Sequence, residues 1–118
     1  ILSLAAVRAS LDIFERATMS ALRKKSLQLT AYLEYLLVRV EDDRIRIITP
    51  TNPDERGCQL SIQMLDTDKR LFDILTEKGV IADWREPDVI RVAPVPLYNS
   101  YEDVFSFVEL VKSSLKEF

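Results

Sequence analysis

The sequence predicts an α+β domain: a small, largely antiparallel four-stranded sheet with helices packed on one face. In the first third, apolar residues recur at steps of three and four, which is helical spacing. Later segments switch to a period of two, as in strands with one face buried. Prolines and Gly79 punctuate those segments, and the resulting order α-α-β-β-α-β-β-α suits one sheet with a helical cover.

Leu4, Val7, Leu11 and Phe14 draw the stripe of a first helix. Thr18 is placed to interrupt it and cap a second, whose stripe is Leu22, Leu29, Leu33, Leu36 and Val40. The basic cluster Arg23-Lys24-Lys25 reads as a solvated helix face. After Glu41-Asp42-Asp43, the alternation Arg44-Ile45-Arg46-Ile47 reads as a strand that Pro50 and Pro53 end. Cys58, Leu60, Ile62 and Met64 alternate with Gln59, Ser61 and Gln63 in a second strand, with Cys58 as a buried small residue. Asp66 or Thr67 caps a third helix carrying Leu71, Ile74 and Leu75, which Gly79 stops. Val80–Arg85 and Val89–Ala93 form a hairpin across the turn Glu86-Pro87-Asp88. Pro94 and Pro96 keep the chain extended. Asn99 or Ser100 then caps a last helix buried through Val104, Phe107, Val108, Val111 and Leu115, with Asp103 completing a variant capping box.

Composition narrows the chemistry. The 118 residues suit one domain, and a net charge of −3 with no clustered basic face gives no reason to expect nucleic acid. The chain has no histidine, so the usual Ser-His and Cys-His nucleophile pairs are excluded. The single Cys58 cannot close an internal disulfide, no Cys/His cluster has zinc-ligand spacing, and no apolar run reaches membrane-spanning length. A reducing, cytoplasmic setting is expected. An Ile at position 1 and immediate entry into a helical pattern suggest a fragment of a larger protein. Residues 1–41 would be a helical connection from that protein and 44–118 an α/β sandwich.

The segment Asp83-Trp84-Arg85-Glu86-Pro87-Asp88-Val89-Ile90-Arg91-Val92-Ala93-Pro94-Val95-Pro96-Leu97-Tyr98-Asn99-Ser100 is the most distinctive. If the helices cover the Ile90/Val92 side, Arg91 leaves the opposite face of the sheet. A guanidinium held there can grip a carboxylate with two parallel hydrogen bonds. The position also suits an ordinary exposed strand arginine. A side chain folded into the covered interior, or engaged by an internal acid away from any cleft, would remove the carboxylate role.

RVAPVPLYNSYEDV, the hairpin DWREPDVIRVAP, ERGCQLSI (55–62) and ATMSALRKKSLQLTAYLEYL (17–36) all resemble kynureninase segments, in order and over almost the whole chain. The resemblance implies the C-terminal small domain of a fold-type I pyridoxal-phosphate enzyme, active as a cytoplasmic homodimer in tryptophan catabolism, on the kynurenine pathway to NAD. That enzyme hydrolyses L-kynurenine or 3-hydroxykynurenine to anthranilate or 3-hydroxyanthranilate plus L-alanine. The motif arginine that binds the substrate α-carboxylate matches Arg91. The Schiff-base lysine and the ligands of pyridoxal 5′-phosphate would lie in the large domain. None of Lys24, Lys25, Lys69, Lys78, Lys112 or Lys116 sits in a matching motif, so the isolated piece is expected to be inactive. Its partners would be its own large domain, a second subunit and a small-molecule substrate.

Weaker substrate-binding candidates are Arg85, Tyr98, Arg56 and Gly57. Arg85 can instead pair with Asp83 or Glu86. Tyr98 can anchor the proline segment, and Arg56-Gly57 can be a plain strand-entry turn. Trp84 reads as core or interface. Two other readings stay open: the small domain of a cysteine desulfurase or aminotransferase, and a non-enzymatic amino-acid-binding or dimerisation module.

Overall fold

Helix α1 (Leu2–Ala17) opens the computed structural model, which describes residues 2–118. Ile1, where the expected helical connection begins, lies outside the described residues. Then follow α2 (Met19–Arg39), β1 (Ile45–Ile47), a 3-10 turn (Pro53–Glu55), β2 (Leu60–Met64), α3 (Lys69–Glu77), β3 (Asp83–Arg85), β4 (Val89–Val92) and α4 (Tyr101–Leu115). The strands form one sheet in the order β1-β2-β4-β3, antiparallel throughout.

Residue alternation decides which face is covered. Leu60, Ile62, Met64, Ile90 and Val92 point to one side and are buried with Leu29, Leu33 and Leu37 of α2, Leu71 and Leu75 of α3, and Val104, Val108, Val111 and Leu115 of α4. Burying such a side chain contributes about 1.5–3 kcal/mol, so this layer stabilises the fold. Trp84 joins from β3 by packing on Phe72, ring centroids 5.8 Å apart. Ser61, Gln63, Val89 and Arg91, between these inward residues, remain half-buried on the uncovered face.

The α1 stripe forms as a helix face but is not buried: Leu4, Val7 and Leu11 are all more than half exposed. Thr18 separates the two helices with φ 69°, and its Oγ1 accepts a hydrogen bond from Ala21 N at 3.2 Å. In α2, Leu37 is buried and Leu36 and Val40 are only partly so, because Leu37 completes the turn above Leu33. Arg23 and Lys25 are not simply solvated. Arg23 Nη2 donates to the carbonyls of Pro53 (2.8 Å) and Arg56 (3.3 Å), and Lys25 Nζ to that of Pro96 (2.7 Å). The basic cluster therefore ties two loops to α2.

Several boundaries differ from expectation. Asp68, not Asp66 or Thr67, caps α3, its Oδ1 accepting from Arg70 N at 2.9 Å. Asp66 has turned left-handed at φ 57° and the Thr67 hydroxyl donates back to the Met64 carbonyl, so neither is free to cap. Strand β3 begins at Asp83, because Val80 is still closing α3. The Val80 N–H bonds the Leu75 carbonyl and the Gly79 N–H that of Thr76, with Gly79 at φ 95°. This is the double closure of a glycine-terminated helix. Cys58 precedes β2 and is half-buried. Ser100 caps α4, and the capping box with Asp103 is complete. The Glu86–Pro87 peptide in the hairpin turn is cis.

Candidate functional site: an arginine-bearing open sheet face

Register fixes the neighbours on the uncovered face. Arg91 lies between Ser61 on β2 and Asp83 on β3, while Val89 lies between Gln63 and Arg85. Directly opposed residues in an antiparallel pair point to the same side. Arg46, opposite Gln63 on β1, therefore extends the second row. Three guanidinium groups share this face with the Asp83 carboxylate.

Arg91 projects from it with a third of its side chain exposed. It is not unpaired. Arg91 Nε donates to Asp83 Oδ2 at 2.6 Å, and Nη2 is paired to the same oxygen. Arg85 Nε reaches that oxygen too, at 3.1 Å. Hydrogen bonding from Arg91 holds the Asp83 carboxyl below its usual range, with the charge of Arg85 adding to the effect. One carboxylate thus faces two guanidinium groups, which leaves the trio with one net positive charge. A guanidinium carries five N–H donors in a fixed plane. Asp83 occupies the side formed by Nε and Nη2, so the end-on fork of Nη1 and Nη2 is left for another carboxylate.

Asp83 meets Arg85 as the sequence suggested, but strand reasoning passed over its pairing with Arg91. A signal existed: counting outward from the Glu86-Pro87-Asp88 turn, residue 85 faces 89 and 83 faces 91.

The weaker candidates are distributed differently. Arg85 joins Arg91 through Asp83. Arg56 is drawn away to α2, where Nη2 donates to Glu34 Oε1 at 3.2 Å and Nη1 lies 3.2 Å from Oε2. Gly57 is exposed, with no positive φ and open space where a Cβ would stand. Tyr98 is 86% exposed. The proline segment is instead held by Asn99 Oδ1, which accepts from Val95 N at 2.8 Å, and by Lys25. A groove of about 360 Å³ runs between α4 and the Val92–Pro94 segment, on the helix side of the sheet, and none of these candidates lines it.

The six lysines lie on or at the ends of α2, α3 and α4, so none stands beside Arg91 on the open face. These residues therefore do not fit pyridoxal 5′-phosphate by themselves. Among the described residues no group of three or more His, Cys, Asp or Glu could hold a metal ion, and no helix is long and apolar enough to cross a membrane.

Comparison with known proteins gives this geometry a family. The chain is 49% identical to a kynureninase of Koribacter versatilis (strain Ellin345) over 98% of its length, and 54% identical to one of Coccidioides immitis (strain RS) over 93%. The rat kynureninase is 49% identical over 98% of the chain. The chain spans only 27%, 24% and 26% of these relatives, about a quarter of their length. The fold is shared with solved structures of a NifS-like protein (TM-score 0.72, 20% identity, 84% of this chain and 29% of that one) and of acetylornithine aminotransferase from Elizabethkingia anophelis (TM-score 0.64, 21% identity, 94% and 28%). A family model described as the kynureninase C-terminal domain matches residues 22–111, and the chain belongs to that family.

Proposed function

We propose that this chain is the substrate-gripping small domain of a pyridoxal-phosphate-dependent kynureninase. The full-length enzyme hydrolyses L-kynurenine or its 3-hydroxy form to anthranilate or 3-hydroxyanthranilate and L-alanine. The carrying observation is Arg91: it leaves the uncovered face of the sheet, its side-on edge is fixed by Asp83, and its end-on fork remains available. A carboxylate received by that fork meets two parallel charge-assisted donors. Fixing the carboxylate orients the rest of the amino acid and supplies catalysis by positioning. It also ties this domain to the substrate, so that binding favours a closed, drier site.

The cofactor belongs to the part of the enzyme outside these residues, and the isolated chain has no turnover of its own. The full enzyme acts as a homodimer in the cytoplasm, with this domain set against its own large domain. The kynureninase relatives at about half identity support this reading over other enzymes of the same fold. The test is steady-state kinetics of the full-length holoenzyme carrying Arg91→Ala, with cofactor absorbance recorded in parallel. Loss of kcat/KM on kynurenine with absorbance unchanged supports the role; an unchanged kcat/KM removes it.

A further inference from the structure

Arg91 would be a poor receptor if its side chain were loose. A flexible guanidinium must be ordered each time a ligand arrives, and that ordering works against binding. The fold supplies a remedy on the adjacent strand. Asp83 stands directly across the ladder from Arg91, and its Oδ2 meets both Nε and Nη2. Arg85 reaches the same oxygen from two residues along β3. The aspartate is thus held from two sides, and it fixes the plane in which the Arg91 fork lies.

We infer that Asp83 is a positioning residue for the ligand-binding arginine: it holds the Nε/Nη2 edge of Arg91, so that the Nη1/Nη2 fork is pre-oriented for the α-carboxylate of an amino-acid substrate. This rests on the reading of Arg91 given above. Arg85 has a supporting part, because it shares the Asp83 charge that would otherwise largely neutralise Arg91. Without Arg85 the pair would present almost no net charge to an incoming anion; with it, one positive charge remains.

The test uses the full-length holoenzyme in a double-mutant cycle of Asp83→Ala and Arg91→Ala, with Asp83→Asn as the conservative variant. Asp83→Ala should raise KM for kynurenine on the order of tenfold or more, since small misplacement of a positioning group is costly. Turnover at saturation should change much less. Asp83→Asn keeps an acceptor oxygen and should recover most of the loss. In the Arg91→Ala background, Asp83→Ala should have no further effect, because there is no guanidinium left to position. Thermal unfolding of each variant checks that the fold persists. An unchanged or lowered KM in Asp83→Ala overturns the inference, as does an equal loss in both backgrounds, which would mark a role independent of Arg91. Failure of the underlying reading looks different: Arg91→Ala alone would leave kcat/KM intact.

Discussion

Arg56 and Glu34 meet across 22 positions of sequence in a two-point contact, and the arginine side chain keeps only 4% of its exposure. Arg56 Nη1 also donates to the Pro50 carbonyl at 3.2 Å. This pair fastens the loop between β1 and β2 to α2. Removing one member of a buried ion pair leaves the other uncompensated, which costs about 3–5 kcal/mol. Glu34 is the more exposed partner, at 19%, so the lower end applies. Arg56→Ala should therefore destabilise the protein by about 3 kcal/mol, measured by urea unfolding. A full effect on KM with no loss of stability would instead return Arg56 to the ligand site.

Arg91 carries the functional prediction. Arg91→Ala should reduce kcat/KM for kynurenine by about 2–5 kcal/mol, on the order of 30-fold or more. Arg91→Lys should recover only part of this, since an ammonium cannot reproduce the planar fork. Stability should change little, because the side chain is partly exposed and its partner is on the surface.

Glu41 offers a stabilising change. It follows the last turn of α2 at φ 56°, the place that Gly79 holds at the end of α3. A left-handed conformation costs a residue with a Cβ about 1–2 kcal/mol, and glycine adopts it freely. Glycine's larger unfolded-state entropy offsets part of the gain. Glu41→Gly should raise stability by up to about 1 kcal/mol, read as a higher Tm with activity unchanged.

Asp42 gives the acid limb of stability a specific source. Its Oδ1 accepts from the backbone and Nε of Arg44, and its Oδ2 accepts from Arg44 Nη2 at 2.7 Å. The Arg44 guanidinium holds this carboxyl below its usual range. A depressed folded-state pKa contributes stability above the unfolded value of about 3.9 and loses it as pH falls through the folded value. The stability gap between the wild type and Asp42→Asn should thus be full at pH 7 and close as the pH drops below about 4. Unfolding curves at both ends of that range check it.

Much of this architecture was legible because burial imposes a period. The alternation of Leu60, Ile62 and Met64 and of Ile90 and Val92 put these residues on one face and Arg91 on the other, and the burial of the first set shows which face the helices cover. Gly79 and the Ser100/Asp103 pair announced their helix ends because few residue types fit there. Illegible were features settled by the local turn of the backbone or by distant partners. Three acceptable caps precede α3, and only the left-handed turn at Asp66 and the Thr67 bond decide for Asp68. Nothing local distinguishes the loop-binding Arg23 and Lys25 from solvated charges, and nothing local pairs Arg56 with Glu34.

The two outermost strands, β1 and β3, are three residues each. An unpaired strand margin is a template on which a foreign chain can grow, and its reach depends on its length. Such brief margins offer only a few free backbone groups, and charged Arg46, Asp83 and Arg85 stand along them. The sheet can therefore leave one whole face uncovered without inviting runaway polymerisation along its sides.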